Sequence, residues 1–145
     1  PALQLGDPTA PLQIFRSRDV PCAEYDFYAF DAGSVDVYTY VLPTFPLHAD
    51  RDFRIGENTN TDTKYSVQID DGALASSSHV EYSQVWFESV LRNCAVNKST
   101  LHIDKPGRHT LRIRVGDPGI VLQKIVLDFG GMKRSYLGPQ STLIE

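Results

Sequence analysis

The chain has 145 residues, 41% hydrophobic and 22% charged, with a formal net charge of −4. These are the proportions of a single globular domain, and they exclude a disordered chain. No apolar run approaches the ~20 residues of a transmembrane helix, and the acidic balance excludes a nucleic-acid surface, which needs clustered Lys and Arg.

Pro1-Ala2-Leu3-Gln4-Leu5 has neither a Met nor a signal-peptide pattern and reads as an internal cut, with any targeting segment upstream. Residues 1–22 carry Pro1, Pro8, Pro11 and Pro21 with little periodicity, so an extended lead-in is expected before a domain spanning 23–145. From Ala23 the pattern alternates with period two, placing Tyr25, Phe27 and Ala29 on one strand face. Asp31-Ala32-Gly33-Ser34 is turn chemistry. In the next strand Val35, Val37, Thr39 and Val41 share one face and Asp36, Tyr38 and Tyr40 the other, until Pro43, which has no N–H for the ladder.

Residues 48–63 read as a long polar loop. A strand resumes over Lys64–Asp70 with Tyr65, Val67 and Ile69 inward, and Asp71-Gly72 closes it in a hairpin turn. Ser76-Ser77-Ser78 reads as loop polarity. The spacing predicts one short helix over Ser83–Asn93, capped by Ser83, with Trp86 and Val90 on one face at i and i+4. Strands follow at Ser99–Ile103, His109–Val115 and Ile120–Phe129, the last a nearly continuous apolar run that predicts burial on both faces. The series defines an all-β, antiparallel β-sandwich with one short helix.

No residues carry a reaction. His48, His79, His102 and His109 sit beside no nucleophile motif, and the adjacent Asp70 and Asp71 diverge at a turn rather than flank a bond. Asp104, Asp117 and Asp128 fall at turns and strand ends, where a structural Ca²⁺ is the alternative to a turn role. Cys22 and Cys94 form either one disulfide or two isolated thiols, without zinc-ligand spacing. Arg112 and Arg114 alternate on one strand as a solvated face, and Asn97-Lys98-Ser99 is a glycosylation sequon compatible with a secreted origin. The aromatic residues say more. Tyr38 and Tyr40 share a strand face that either packs on a second sheet or forms a platform for sugar rings, and Trp86 is an anchor for the helix or a ligand contact.

Several segments, taken in order, resemble one family. They are Glu24-Tyr25-Asp26-Phe27-Tyr28, Val41-Leu42-Pro43-Thr44-Phe45-Pro46, Ile69-Asp70-Asp71-Gly72 and Trp86 with Val90-Leu91-Arg92-Asn93. Lys105-Pro106-Gly107-Arg108-His109-Thr110-Leu111, Asp117 through Ile125, and Gly130-Gly131 with Ser135-Tyr136-Leu137-Gly138-Pro139 complete the series. From about residue 23 to 140 the chain is similar to the C-terminal domain of glycoside hydrolase family 115, the xylan α-1,2-glucuronidases.

That resemblance implies a jelly roll like that of carbohydrate-binding modules, without catalytic residues, metal or cofactor, on an enzyme whose catalytic carboxylates lie upstream. It implies as partners the catalytic domains of the parent, xylan or another plant polysaccharide, and a second copy in a homodimer. The parent is expected to be secreted or periplasmic. The family's domain begins further upstream than this chain, so its opening strands are either missing or replaced by the lead-in. The alternative expectation is an independent carbohydrate-binding module or lectin using Tyr38, Tyr40 and Trp86.

Overall fold

The computed structural model describes residues 3–5, 21–43, 63–79, 84–116, 119–133, 135–136 and 138–142. Their strands are β1 (Leu3–Leu5), β2 (Cys22–Ala29), β3 (Gly33–Val41), β4 (Thr63–Ile69), β5 (Ala75–His79), β6 (Ala95–Ile103), β7 (Gly107–Val115) and β8 (Ile120–Asp128). One helix, α1 (Gln84–Arg92), lies between β5 and β6. The loop expected over 48–63 lies outside the described residues, except for Thr63, which opens β4.

The strands form two antiparallel sheets, β1-β8-β3-β6 and β2-β7-β4-β5. Chain neighbours β2 and β3 are thus divided between the sheets, as are β7 and β8, and this alternation is the order of a jelly roll. Leu3–Leu5 pairs antiparallel with Leu122–Ile120, so part of the lead-in supplies the edge of the first sheet. The expected inward faces are present. Val35, Val37, Thr39 and Val41 of β3 and Tyr65, Val67 and Ile69 of β4 are all buried. They meet Leu101, Ile103, Leu111 and Ile113 in one core between the sheets.

Three readings need correction. Ser76-Ser77-Ser78 is strand, not loop: β5 pairs with β4, and Ser77 is buried with its Oγ 3.2 Å from that of Ser99. Serine's polarity hid a strand whose inner face meets another serine. The turn after β4 is centred on Asp70, at φ 49°, and Gly72 N–H donates to the Ile69 carbonyl at 3.0 Å. Asp is one of the few residues besides glycine that visit this left-handed conformation, and here its carboxylate is held by His109 and Thr110 of the neighbouring strand. On the edge strand β2 the face shared by Tyr25, Phe27 and Ala29 turns toward the core at Phe27 and Ala29, while Tyr25 stands exposed. In β8 only Ile120 and Leu122 are buried; a register shift opposite Tyr40/Val41 leaves Gln123 exposed at a bulge, and beyond it Ile125 and Leu127 pack against the core only partly buried.

A polar bridge crosses the core. Tyr65, 1% exposed, reaches from β4 to the first sheet, where its hydroxyl bonds Thr39 Oγ1 and accepts from Asn97 Nδ2 at 2.8 Å. The side chain of Asn97 in the sequon is thus engaged in a contact between the sheets. Cys22 and Cys94 are both free thiols. Partial burial raises the pKa of both above the ordinary thiol value.

Candidate functional site

Two polar constellations stand out. On the second sheet, His109 Nδ1 lies 2.7 Å from Asp70 Oδ2, and Nε2 lies 2.9 Å from the Lys105 carbonyl. Asp70 Oδ1 also accepts the Thr110 N–H at 2.9 Å, and Arg112 joins Glu24 at 2.7 Å and the Asp70 carbonyl at 2.6 Å. A His–Asp pair is two-thirds of a hydrolytic triad, but here Nε2, the atom that would take a nucleophile's proton, faces a carbonyl inside the fold. Both ring nitrogens face acceptors, so only the imidazolium donates to both. The hydrogen bond to Asp70 holds the His109 pKa above its ordinary value. Burial works against the Asp70 charge, yet the bonds from His109 and Thr110 outweigh it and leave that pKa lowered. This constellation is a structural clasp.

The second is a groove of about 780 Å³ on the outer face of the first sheet. Tyr38 and Tyr40, successive outward residues of β3, form its floor with Lys98 of β6 and Lys124 of β8. The Lys98 ammonium lies 5.8 Å from the Tyr38 ring centroid and that of Lys124 5.9 Å from Tyr40. One wall is α1, whose Val85, Glu88, Ser89 and Arg92 recur at i, i+3, i+4 and i+7. The chain after β8 crosses above, contributing Lys133, Tyr136 and Gly138.

Local chemistry holds these parts. Helix α1 ends at Asn93, with φ 53°, where Asn93 N–H donates to Val90 O and Cys94 N–H to Ser89 O, both at 3.0 Å. That bond pair is a Schellman termination, which reverses the chain into β6. Asp128 Oδ1 accepts the Gly130 and Met132 N–H groups at 2.8 and 3.3 Å, turning the chain back over the sheet. Tyr136 Oη donates to the Arg92 carbonyl at 3.2 Å and ties this segment to the helix.

Tyr38 and Tyr40 therefore lie together in the groove, but unequally. Tyr38 is half-buried. Tyr40 is 7% exposed, and a Cβ at Gly138 would fall 2.7 Å from its Oη, so the segment covers it. Trp86 is apart from them. At 3% exposure it anchors α1, edge-on to Phe87 at 5.2 Å, and offers no face to a sugar. Its inward partner is Ser89 at i+3, while Val90, expected there, is exposed. Arg92, Lys133 and Tyr136 were not singled out by sequence reasoning. The available signal was a cation in a helix's last turn and a Tyr inside an irregular tail, and neither indicates a groove.

Among the described residues no group of three His, Cys, Asp or Glu side chains is placed to hold a metal ion. Of the aspartates considered for Ca²⁺, Asp128 bonds its own turn, Asp104 lies 3.6 Å from His102, and Asp117 lies outside the described residues.

The strand order defines a jelly-roll domain with a groove on the outer face of one sheet. The sequence profile of the glycosyl hydrolase family 115 C-terminal domain matches residues 4–141, and the chain belongs to that family. A similar solved structure is a family GH115 4-O-methyl-alpha-glucuronidase, BtGH115A, with specificity for decorated arabinogalactans. It is 24% identical with a TM-score of 0.63, over 77% of this chain and 14% of that one. A family 35 carbohydrate binding module from Clostridium thermocellum aligns at 13% identity and a TM-score of 0.47, over 87% of this chain and 90% of that one. A comparison with curated proteins gave no match. This chain thus spans a small part of the glucuronidase it resembles.

Proposed function

We propose that this chain is the non-catalytic C-terminal accessory domain of a glycoside hydrolase that removes glucuronic acid from a plant polysaccharide. On this reading the parent is an α-glucuronidase acting outside the cytoplasm, secreted or periplasmic, where it meets xylan or a decorated arabinogalactan. The domain's first task is to brace the catalytic domains. The observation that carries this is the side of α1 turned away from the sandwich. Phe87 and Leu91, one turn apart, are 52% and 87% exposed, where a helix facing water carries polar residues. An apolar pair of this kind fits docking against a larger body.

The test is to place Phe87→Asp and Leu91→Asp together in the full-length enzyme. The double variant is expected to release the domain under limited proteolysis and to lower the unfolding temperature of the enzyme. Leu91→Asp alone should leave the unfolding of the isolated chain nearly unaltered, because that side chain is 87% exposed, whereas Phe87 also packs edge-on to Trp86. Proteolysis and unfolding identical to the wild type would contradict the brace. Glucuronate released from polysaccharide by the isolated chain would contradict the non-catalytic role.

A second reading, a self-sufficient sugar-binding module, is favoured by the tyrosine-floored groove alone.

A further inference from the structure

We propose that the groove beside α1 is a subsite for a carboxylated saccharide, a uronate carried by a glycan, held by Arg92 and Lys133 with Tyr136 against the sugar ring. The argument begins with charge. Among the described residues the groove's lining holds four cations, Arg92, Lys98, Lys124 and Lys133, against the single acid Glu88. The whole chain carries −4, so the groove runs against the molecule's overall sign. Clefts of one sign concentrate ligands of the other.

The four cations differ in availability. Lys98 is bound to Asp36 at 2.7 Å, and Lys124 donates to the Pro139 carbonyl at 3.0 Å, so both are fixed in the floor. Glu88 stands one turn before Arg92, at the spacing for a helix ion pair. Among the described residues, however, no ion pair is formed by Arg92 or by Lys133. A guanidinium and an ammonium on two walls of one groove are suited to a carboxylate, with the guanidinium able to take both oxygens.

Size and surface select the rest of the ligand. A volume of about 780 Å³ exceeds what a small inorganic anion fills and suits a few sugar residues. Tyr136 is 69% exposed and its hydroxyl is fixed on Arg92 O, so the ring enters as a held, solvent-facing plate next to the cations. Rings presented in this way stack on the apolar face of a pyranose. The saccharide half of this inference rests on the proposed function, whereas the anion half rests on the groove alone.

The test is titration of the full chain with free glucuronate, a glucuronic-acid-substituted xylo-oligosaccharide, the same oligosaccharide without the acid, and inorganic phosphate. Amide NMR shifts and emission from Trp86, on the wall helix, are the readouts. Glucuronate and the substituted oligosaccharide should both shift residues 84–92, Lys133 and Tyr136, and the neutral oligosaccharide should not. Stronger binding of the oligosaccharide than of free acid would place the ligand on a chain, and equal binding would assign the site to the free sugar acid. Arg92→Ala with Lys133→Ala should weaken binding about tenfold or more, as expected for a lost charge-assisted pair. Tyr136→Ala should weaken the sugar acids and leave phosphate unchanged. All three side chains are exposed, so these variants keep the core, which unfolding midpoints would verify.

Equal binding of the acidic and neutral oligosaccharides, no response to any ligand, or shifts away from the groove would overturn the proposal. Phosphate binding as tightly as glucuronate would overturn its saccharide half alone. None of these outcomes depends on whether α1 docks on a parent enzyme.

Discussion

At the scale of single residues, two buried polar contacts decide how the sheets hold together. The Tyr65 hydroxyl is the meeting point of Thr39 and Asn97, and burial pushes its pKa up despite those bonds. Tyr65→Phe keeps the ring and strands both partners between the sheets. The expected cost is about 1–3 kcal/mol, the penalty for buried polar groups left unsatisfied, read as a lower urea midpoint. The His109–Asp70 clasp makes a different prediction, because both groups titrate. The folded state favours charged His109, so its contribution is complete below about 6.5, the ordinary imidazole value, and is lost as pH rises through the raised folded value. Asp70 is lowered, so its contribution is complete above about 3.9 and is lost as pH falls through the folded value. Urea midpoints should therefore gain most from the pair between about pH 4 and 6.5, and His109→Gln should flatten the fall above that window. The pair was not legible in the sequence. Asp70 and His109 stand 39 residues apart, and only the pairing of Ile69 with Leu111 brings them together.

At the scale of elements, the strands of high β-propensity were legible and the polar or short ones were not. Val35, Val37, Thr39 and Val41 alternate cleanly because one face meets the other sheet. β5 reads ASSSH, and its inner serine is satisfied by a serine on β6, information that period two does not carry. β1 has three residues and exists by pairing with β8, more than a hundred residues later. Tyr38 and Tyr40 were placed on one strand face with its orientation left open; the face is the outward one, and the chain after β8 closes over Tyr40, which no local pattern encodes. That closure depends on Gly138, at φ 72°. Gly138→Ala introduces a Cβ against Tyr40 Oη at a backbone angle that L residues rarely adopt. The cost of the left-handed angle is about 1–2 kcal/mol. The expected result is a displaced segment and a Tyr40 ring newly open to nitration, read by peptide mass spectrometry, with Tyr65 still protected.

At the scale of the whole molecule, sandwich and family were both legible, because alternation fixes the faces and an ordered series of turn segments spans most of the chain. The groove was not, since it is assembled from β3, β6, β8, α1 and the closing segment, five pieces joined only by tertiary structure. Nor was the exposed apolar side of α1 legible: the i, i+4 spacing put Val90 on the face of Trp86, but Val90 is exposed, as are Phe87 and Leu91. An accessory domain explains why one helix of an otherwise well-packed sandwich carries apolar residues on both sides. Its inner side serves this fold, and on the proposed reading its outer side docks on a catalytic domain.

Hydrogen–deuterium exchange over residues 84–92, compared between the isolated chain and the full-length enzyme, tests that claim most directly. Docking predicts slower exchange of these amides in the full-length enzyme, with those of β7 unchanged. Equal exchange of the helix in both would contradict the brace.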